Sequence, residues 1–441
     1  MEQRRKNLTQ LFIPICLETL LYMLSGMVDT LMLSSVNDQA VGAVGTANTY
    51  IGIFIIMFSV ISSGMVAVMT QNIGAGRPGG AYQARQLGLT FNAVLGIIVS
   101  LILTFGAGAI LAGVGVADAL MQPARTYLQI VGGFCILNAL IPICSSYLRA
   151  FGFSKEPLYA SIIGNVINFC LNAFFLFVLH KGVAGVATAT VISRIINLVI
   201  VVLLGAVLVK AKQHPERESN RAVMGQIIRI GLPSACETAI YNVSMTLVIR
   251  FLNQMDAQGL NVTARSYTMQ ITNFSYCVGA ALAQANAIMT GWHIGAKEYD
   301  ACDRGTKKAA VIGVIVAVIL ETVFTLCSGW IMQLFSKDPQ MVSLVGKLLA
   351  IDIVLEIGRV TNLVYGQALK TSGDAVFPVV MGACFMILCS VGGTYLFGIR
   401  LGLLAVGAYI GMTGDECVRA VGMYLRWKSG KWKEKGLVKS R

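Results

Sequence analysis

Apolar side chains run along this chain in long blocks separated by short polar ones. Twelve of the blocks reach about 20 residues or more, the length a helix needs to cross a bilayer. They predict helices over residues 8–33, 40–70, 88–113, 126–148, 157–180 and 183–209, then over 227–252, 261–291, 308–333, 340–369, 374–398 and 400–427. Between the sixth and seventh lies the most polar interior stretch, Lys210 to Arg221. The expected organisation is therefore a lobe over 1–209, a linker over 210–226, a second lobe over 227–427 and a basic tail over 428–441. The breaks Gly74 to Gly80 and Lys337-Asp338-Pro339 carry ordinary turn residues.

The pattern is written twice. Pro14-x-x-x-Glu18-Thr19-x-x-Tyr22 returns as Pro233-x-x-x-Glu237-Thr238-x-x-Tyr241. Met69-Thr70 with Ile73-Gly74-Ala75 and Arg77 returns as Met289-Thr290 with Ile294-Gly295-Ala296 and Lys297, and Arg149, Gly152 and Pro157 return as Lys370, Gly373 and Pro378. Near-constant displacement over half the chain marks a duplication, as in transporters built from two like bundles.

Composition narrows the class. The 441 residues are 56% hydrophobic and 12% charged, where a soluble domain carries roughly a quarter charged residues. The expected fold is an all-α integral membrane protein of twelve transmembrane helices in two six-helix bundles. An even helix count, six in each half, keeps the halves parallel, related by a pseudo-two-fold axis along the membrane normal. The net charge of +13 falls in short loops and the tail, with 24 Lys and Arg on one side of the predicted spans and seven, Arg265 among them, on the other. That asymmetry places both termini in the cytoplasm and argues against nucleic acid as a partner.

Arg4-Arg5-Lys6 precedes an apolar run that holds Pro14, Glu18 and Asp29, so the run reads as a retained span and not a cleaved leader. Eleven cysteines form no C-x-x-C, and His180, His214 and His293 are far apart, so no metal centre or disulfide framework is expected. No nucleotide-binding or hydrolase motif is present, so the chain reads as a non-enzyme without a cofactor. Any uphill transport would then draw on an ion gradient.

Ionisable groups inside lipid are costly and mark function or a paired partner. Glu18 and Asp29 stand eleven residues apart on the first helix, almost on one face. Asn165, Asn168 and Asn172 share a face of the fifth helix, and Thr188, Thr190 and Arg194 follow on the sixth. Amide and hydroxyl oxygens beside a carboxylate can hold a proton or ligate Na⁺, or can serve as polar glue between helices. In the second half Glu237 repeats Glu18, but Asp29 is matched by Val248. Asp352, Glu356 and Arg359 occupy the tenth helix instead, the last two spaced for an intrahelical ion pair. Glu18, Glu237, Asp352, Glu356 and Arg359 are the candidates for a substrate cavity.

With these residues in order, the chain resembles the multidrug and toxic compound extrusion (MATE) family. The resemblance rests on Pro14 with Val28-Asp29-Thr30, on Gln71 to Arg77, on Leu148 to Gly152 with Pro157, on Asn165 and Asn168, and on Gly185 to Thr190. It continues through Gly373-Asp374 with Pro378 and closes on Arg426 to Trp432. It implies a V-shaped pair of lobes, alternating access, and export of organic, cationic or amphiphilic small molecules by H⁺ or Na⁺ antiport in the cell membrane. The partners it implies are a drug-like cation and membrane lipids, with the transporter a monomer.

The resemblance also implies that Asp29 couples to the ion, with Asn168, Asn172 and Thr190 beside it and a possible Na⁺ at Asp29 and Asn168. Where many relatives carry a second Asp, this chain has Asn172, which implies either a site that takes a proton more readily than Na⁺ or one that binds Na⁺ weakly. The tenth-helix Asp of some members falls near Arg359, and Glu237 stands closer to its proline than their seventh-helix Glu, so their second cation site is not carried over. A lipid-linked precursor flippase of the wider superfamily is the alternative reading.

Overall fold

The computed structural model describes residues 6–34, 38–113, 116–209, 218–256, 258–333 and 335–438. Every regular element among them is helical, and the chain divides into two compact units, Met1–Gly231 and Leu232–Arg441. The first holds α1 (Leu8–Ser34), α2 (Asp38–Gly74), α3 (Pro78–Gly113), α4 (Asp118–Gly133), α5 (Ile136–Ala150), α6 (Lys155–Ala173) and α7 (Gly182–Leu208). The division falls within α8 (Asn220–Met255). The second unit continues with α9 (Leu260–Gly295), α10 (Tyr299–Leu326), α11 (Ser328–Met332), α12 (Pro339–Ser372), α13 (Val376–Phe385) and α14 (Leu404–Lys428).

The expected linker 210–226 lies partly outside the described residues, at 210–217, and from Asn220 it already forms the first turns of α8. The expected helix over 126–148 is a bent pair: α4 and α5 meet at 43° just after Gly132-Gly133, where paired glycines stiffen the backbone least. The Ile136 amide left over at the bend donates to Ser100 Oγ at 3.1 Å. α6 runs on through a wider π-helical turn, Phe174–Val178, and two more such segments, Met386–Val391 and Thr394–Arg400, extend α13.

Seven of the described helices are apolar and long enough to cross a bilayer alone, or eight with α4 and α5 taken as one span. The other four expected spans, on α8, α9, α12 and α14, are as long but carry charge in their interiors. Each unit packs its own core: Leu103, Leu111 and Leu128 among the alanines of α2 and α3 in the first, and Val248, Leu348, Leu355 and Tyr409 in the second. Large apolar side chains such as Phe105 and Leu326 remain more than 80% exposed, as lipid-facing positions should.

Pro14 removes one backbone donor from α1 and frees the carbonyl of Gln10. The Ser154 hydroxyl, entering α6, donates to that oxygen at 3.0 Å. The repeat survives in the turns as well. Gly152 and Gly373 both close their helices with positive φ, 86° and 100°, and Gly373 has the Lys435 carbonyl where a Cβ would stand. The expected tail is not a free segment: Gly430 reverses the chain, Trp432 stacks on Trp427 at 4.1 Å, and Lys435 reaches Asp374 at 2.7 Å.

Candidate functional site

In the first unit α1 packs on α6, and this brings the polar residues of both spans together. Asn172, fully buried, donates through Nδ2 to Asp29 Oδ1 at 2.6 Å and to Asn168 Oδ1 at 3.2 Å. Asp29 is partly exposed, Asn168 is 5% exposed, and Asn172 Oδ1 has no donor among the described residues. Thr190, on the neighbouring α7, spends its proton on its own helix, donating to the Val186 carbonyl at 2.9 Å. Arg194, one turn further on, lies within electrostatic reach of Asp29. The cluster is thus one carboxylate, two amides and a nearby guanidinium.

Glu18 does not join Asp29. Arg149 at the end of α5 donates to Glu18 Oε2 at 2.5 Å, and Ser161 donates to the other oxygen at 3.4 Å. In the second unit Lys370, at the end of α12, meets Glu237 at 2.6 Å. These four residues are the repeats of one another, so the duplication has kept an ion pair that neither sequence motif displays alone.

The interior of the second unit is far more charged. Glu356 and Arg359 form the intrahelical pair that their spacing predicts, at 2.7 Å. Arg359 also stands 3.8 Å from Glu416 on α14. Arg419 grips Asp415 with two hydrogen bonds, 2.8 and 3.0 Å, and reaches Glu416 at 2.9 Å. Asn362 and Ser390 supply further donors to Glu416 and Asp415. Behind this network Glu321 of α10 is wholly buried, and among the described residues neither of its oxygens has a hydrogen-bond donor. Among the described residues no cluster of His, Cys, Asp and Glu is arranged to hold a metal ion.

A cavity of about 400 Å³ opens in this unit, lined by Glu237, Asp352, Arg359, Glu416 and Arg419 together with tyrosines and methionines. Arg265 lines it too. Sequence reasoning counted Arg265 among the charges of a loop, but α9 begins at Leu260 and carries it inward, leaving it 6% exposed. Glu321, Asp415, Glu416 and Arg419 were not singled out from the sequence. The Asp415-Glu416-x-x-Arg419 spacing was the signal, since it matches the i, i+3 and i, i+4 pairing already used for Glu356 and Arg359.

A MatE family model matches residues 14–174 and 233–396, beginning at Pro14 and again at Pro233, once in each half of the repeat. The "Uncharacterized transporter YisQ" of Bacillus subtilis is 34% identical over 431 residues, covering 96% of this chain and 94% of its own. The "Probable multidrug resistance protein NorM" of Thermotoga maritima is 22% identical and covers 98% of this chain and 94% of its own. The crystal structure of a MATE transporter in the bent conformation superimposes with a TM-score of 0.88 at 18% identity, over 97% of this chain and 96% of that one. Twelve helices in two bundles is the fold of those transporters. None of these matches favours the flippase alternative.

Proposed function

The chain belongs to the MATE family of multi-pass membrane transporters, and from that premise we propose that it is a secondary active exporter of small organic molecules, driven by H⁺ antiport through alternating access. The observation that carries the coupling is the Asp29 carboxylate, partly exposed within an apolar span and held by Asn172 at 2.6 Å. A carboxylate at such a depth is costly unless it is used. Its surroundings favour a proton over Na⁺. Asn172 turns a donor toward Asp29, not a ligand oxygen, and the Arg194 charge repels a second cation, whereas a proton removes the negative charge itself.

Ionised, Asp29 accepts from Asn172 and ties α1 to α6. Once protonated, it becomes a weaker acceptor, and the orphaned Asn172 Oδ1 becomes a partner for the new O–H after the amide turns over. The tie between the two helices is thereby rewritten. Pro14, fifteen residues earlier, is where α1 has one backbone bond fewer to resist bending. Proton uptake from outside would so be linked to release of the exported molecule. The transporter would sit in the cell membrane with both termini in the cytoplasm.

Proteoliposomes loaded with a fluorescent cationic dye, given a pH gradient in one arm and a Na⁺ gradient in the other, test this. The pH gradient should drive efflux, and Asp29→Asn should lower it by at least about tenfold, the scale of one lost charge-assisted contact. Undiminished efflux by Asp29→Asn, with the variant inserted at wild-type level, would overturn the assignment. Efflux driven by Na⁺ alone would replace the proton with Na⁺.

A further inference from the structure

Most of the charges that line the cavity of the second unit cancel among themselves. Lys370 is paired with Glu237, Arg419 with Asp415 and Glu416, and Arg359 with Glu356. Two are left over, one of each sign. Arg265 meets, among the described residues, one acceptor, the thioether sulfur of Met245 at 3.7 Å, while its Nε has no partner. Sulfur is a weak acceptor and does not compensate a buried guanidinium. Asp352 is 2% exposed, makes no ion pair among the described residues, and its Oδ2 has no donor. Both line the same cavity, with Tyr409 beside them on its wall, and no ion pair joins them.

A buried cation and a buried anion that face one space without touching are an unsatisfied arrangement, and each leaves a cost that a ligand can offset. We propose that this cavity is the binding site for a zwitterionic amphiphile, whose carboxylate is received by Arg265 and whose ammonium group is received by Asp352. The planar guanidinium suits a two-pronged carboxylate contact, and a carboxylate suits an ammonium. Tyr241, Tyr276, Met269 and Met386 line the remainder, a surface adapted to an apolar body of variable shape. About 400 Å³ lies within the usual range for small-molecule sites. The inference rests on the exporter reading for what happens after binding, and it names the chemical class of what is bound.

A matched series separates the charges: an aromatic α-amino acid carrying a fluorescent side chain, its methyl ester (a cation) and its N-acetyl derivative (an anion). Binding to the full chain in detergent is read by fluorescence anisotropy, and movement by efflux from proteoliposomes. The zwitterion should bind at least about tenfold more tightly than either derivative, since each end contributes a charge-assisted contact. Arg265→Gln should shrink the gap between zwitterion and ester to less than about threefold, and Asp352→Asn should do the same for the gap between zwitterion and N-acetyl compound. Arg265→Lys, which keeps the charge and loses the fork, should restore part of the first gap.

Equal binding of the three compounds by wild type would overturn the proposal. So would gaps that survive both substitutions, or variants that lower all three compounds alike. Because binding is read without a gradient, its failure is separate from that of the exporter reading, which fails only if no dye moves under either gradient.

Discussion

The two units descend from one pattern yet use it differently inside. The first keeps a single carboxylate, Asp29, among amides, with Arg194 at a distance. The second gathers Glu356, Asp415 and Glu416 around Arg359 and Arg419, with the three carboxylates buried. What both retain is an ion pair at the matching place, Glu18 with Arg149 and Glu237 with Lys370. The duplication has thus preserved the fastening of the bundle and released the interior. A lone carboxylate among amides can change its charge cheaply, whereas a charge network resists change because each member is the counterion of another.

Removing the centre of the network should expose this contrast most strongly. Arg419→Ala leaves Asp415 and Glu416 buried beside each other and should destabilise the protein by about 3–5 kcal/mol, against about 1 kcal/mol for Asn172→Ala in the first unit. Thermal unfolding in detergent reads both, and equal shifts would erase the distinction between the interiors. The shared ion pairs come next. Glu18→Gln and Glu237→Gln should each cost about 1–3 kcal/mol, and within a factor of two of each other. A large effect from one and none from the other would show that the pair is a relic in one unit.

A smaller effect is expected at the edge of the second unit. Burial alone would raise the Asp374 carboxyl, but hydrogen bonds and charge from Arg426 and Lys435 hold it below its ordinary value of 3.8. A folded value below the unfolded one means that this contribution is complete above about pH 4 and drains away as the pH falls further. Stability measured across that range should fall less steeply for Asp374→Asn than for the wild type, and identical slopes would remove Asp374 from the account.

Much of this was legible in the sequence, and the parts that were not have a common cause. The blocks of apolar residues located the spans, the displacement of the repeat separated the halves, and the face shared by Asn168 and Asn172 stood ready to meet Asp29. Glu18 and Arg149 were both visible as repeated residues, but their 2.5 Å contact joins elements more than a hundred residues apart, which no local pattern encodes. Arg265 was misplaced because charge near the start of a span reads as loop charge. Only the burial of its neighbours shows that α9 carries it inward. Glu321 stands alone in an apolar run, and its acid neighbours come from α12. The break between α4 and α5 was invisible to hydropathy, which sums over a window and does not register a paired glycine.

The seat of Trp432 and Lys435 against Trp427 and Asp374 bears on how the protein is made. Those residues follow α14, so they are made after all the helices described above, while the described helices of the first unit are made long before. A chain cut just after Gly430 would keep the described helices yet lose the indole that stacks on Trp427 and one partner of Asp374. The second unit therefore draws part of its packing from residues that follow α14 in the chain.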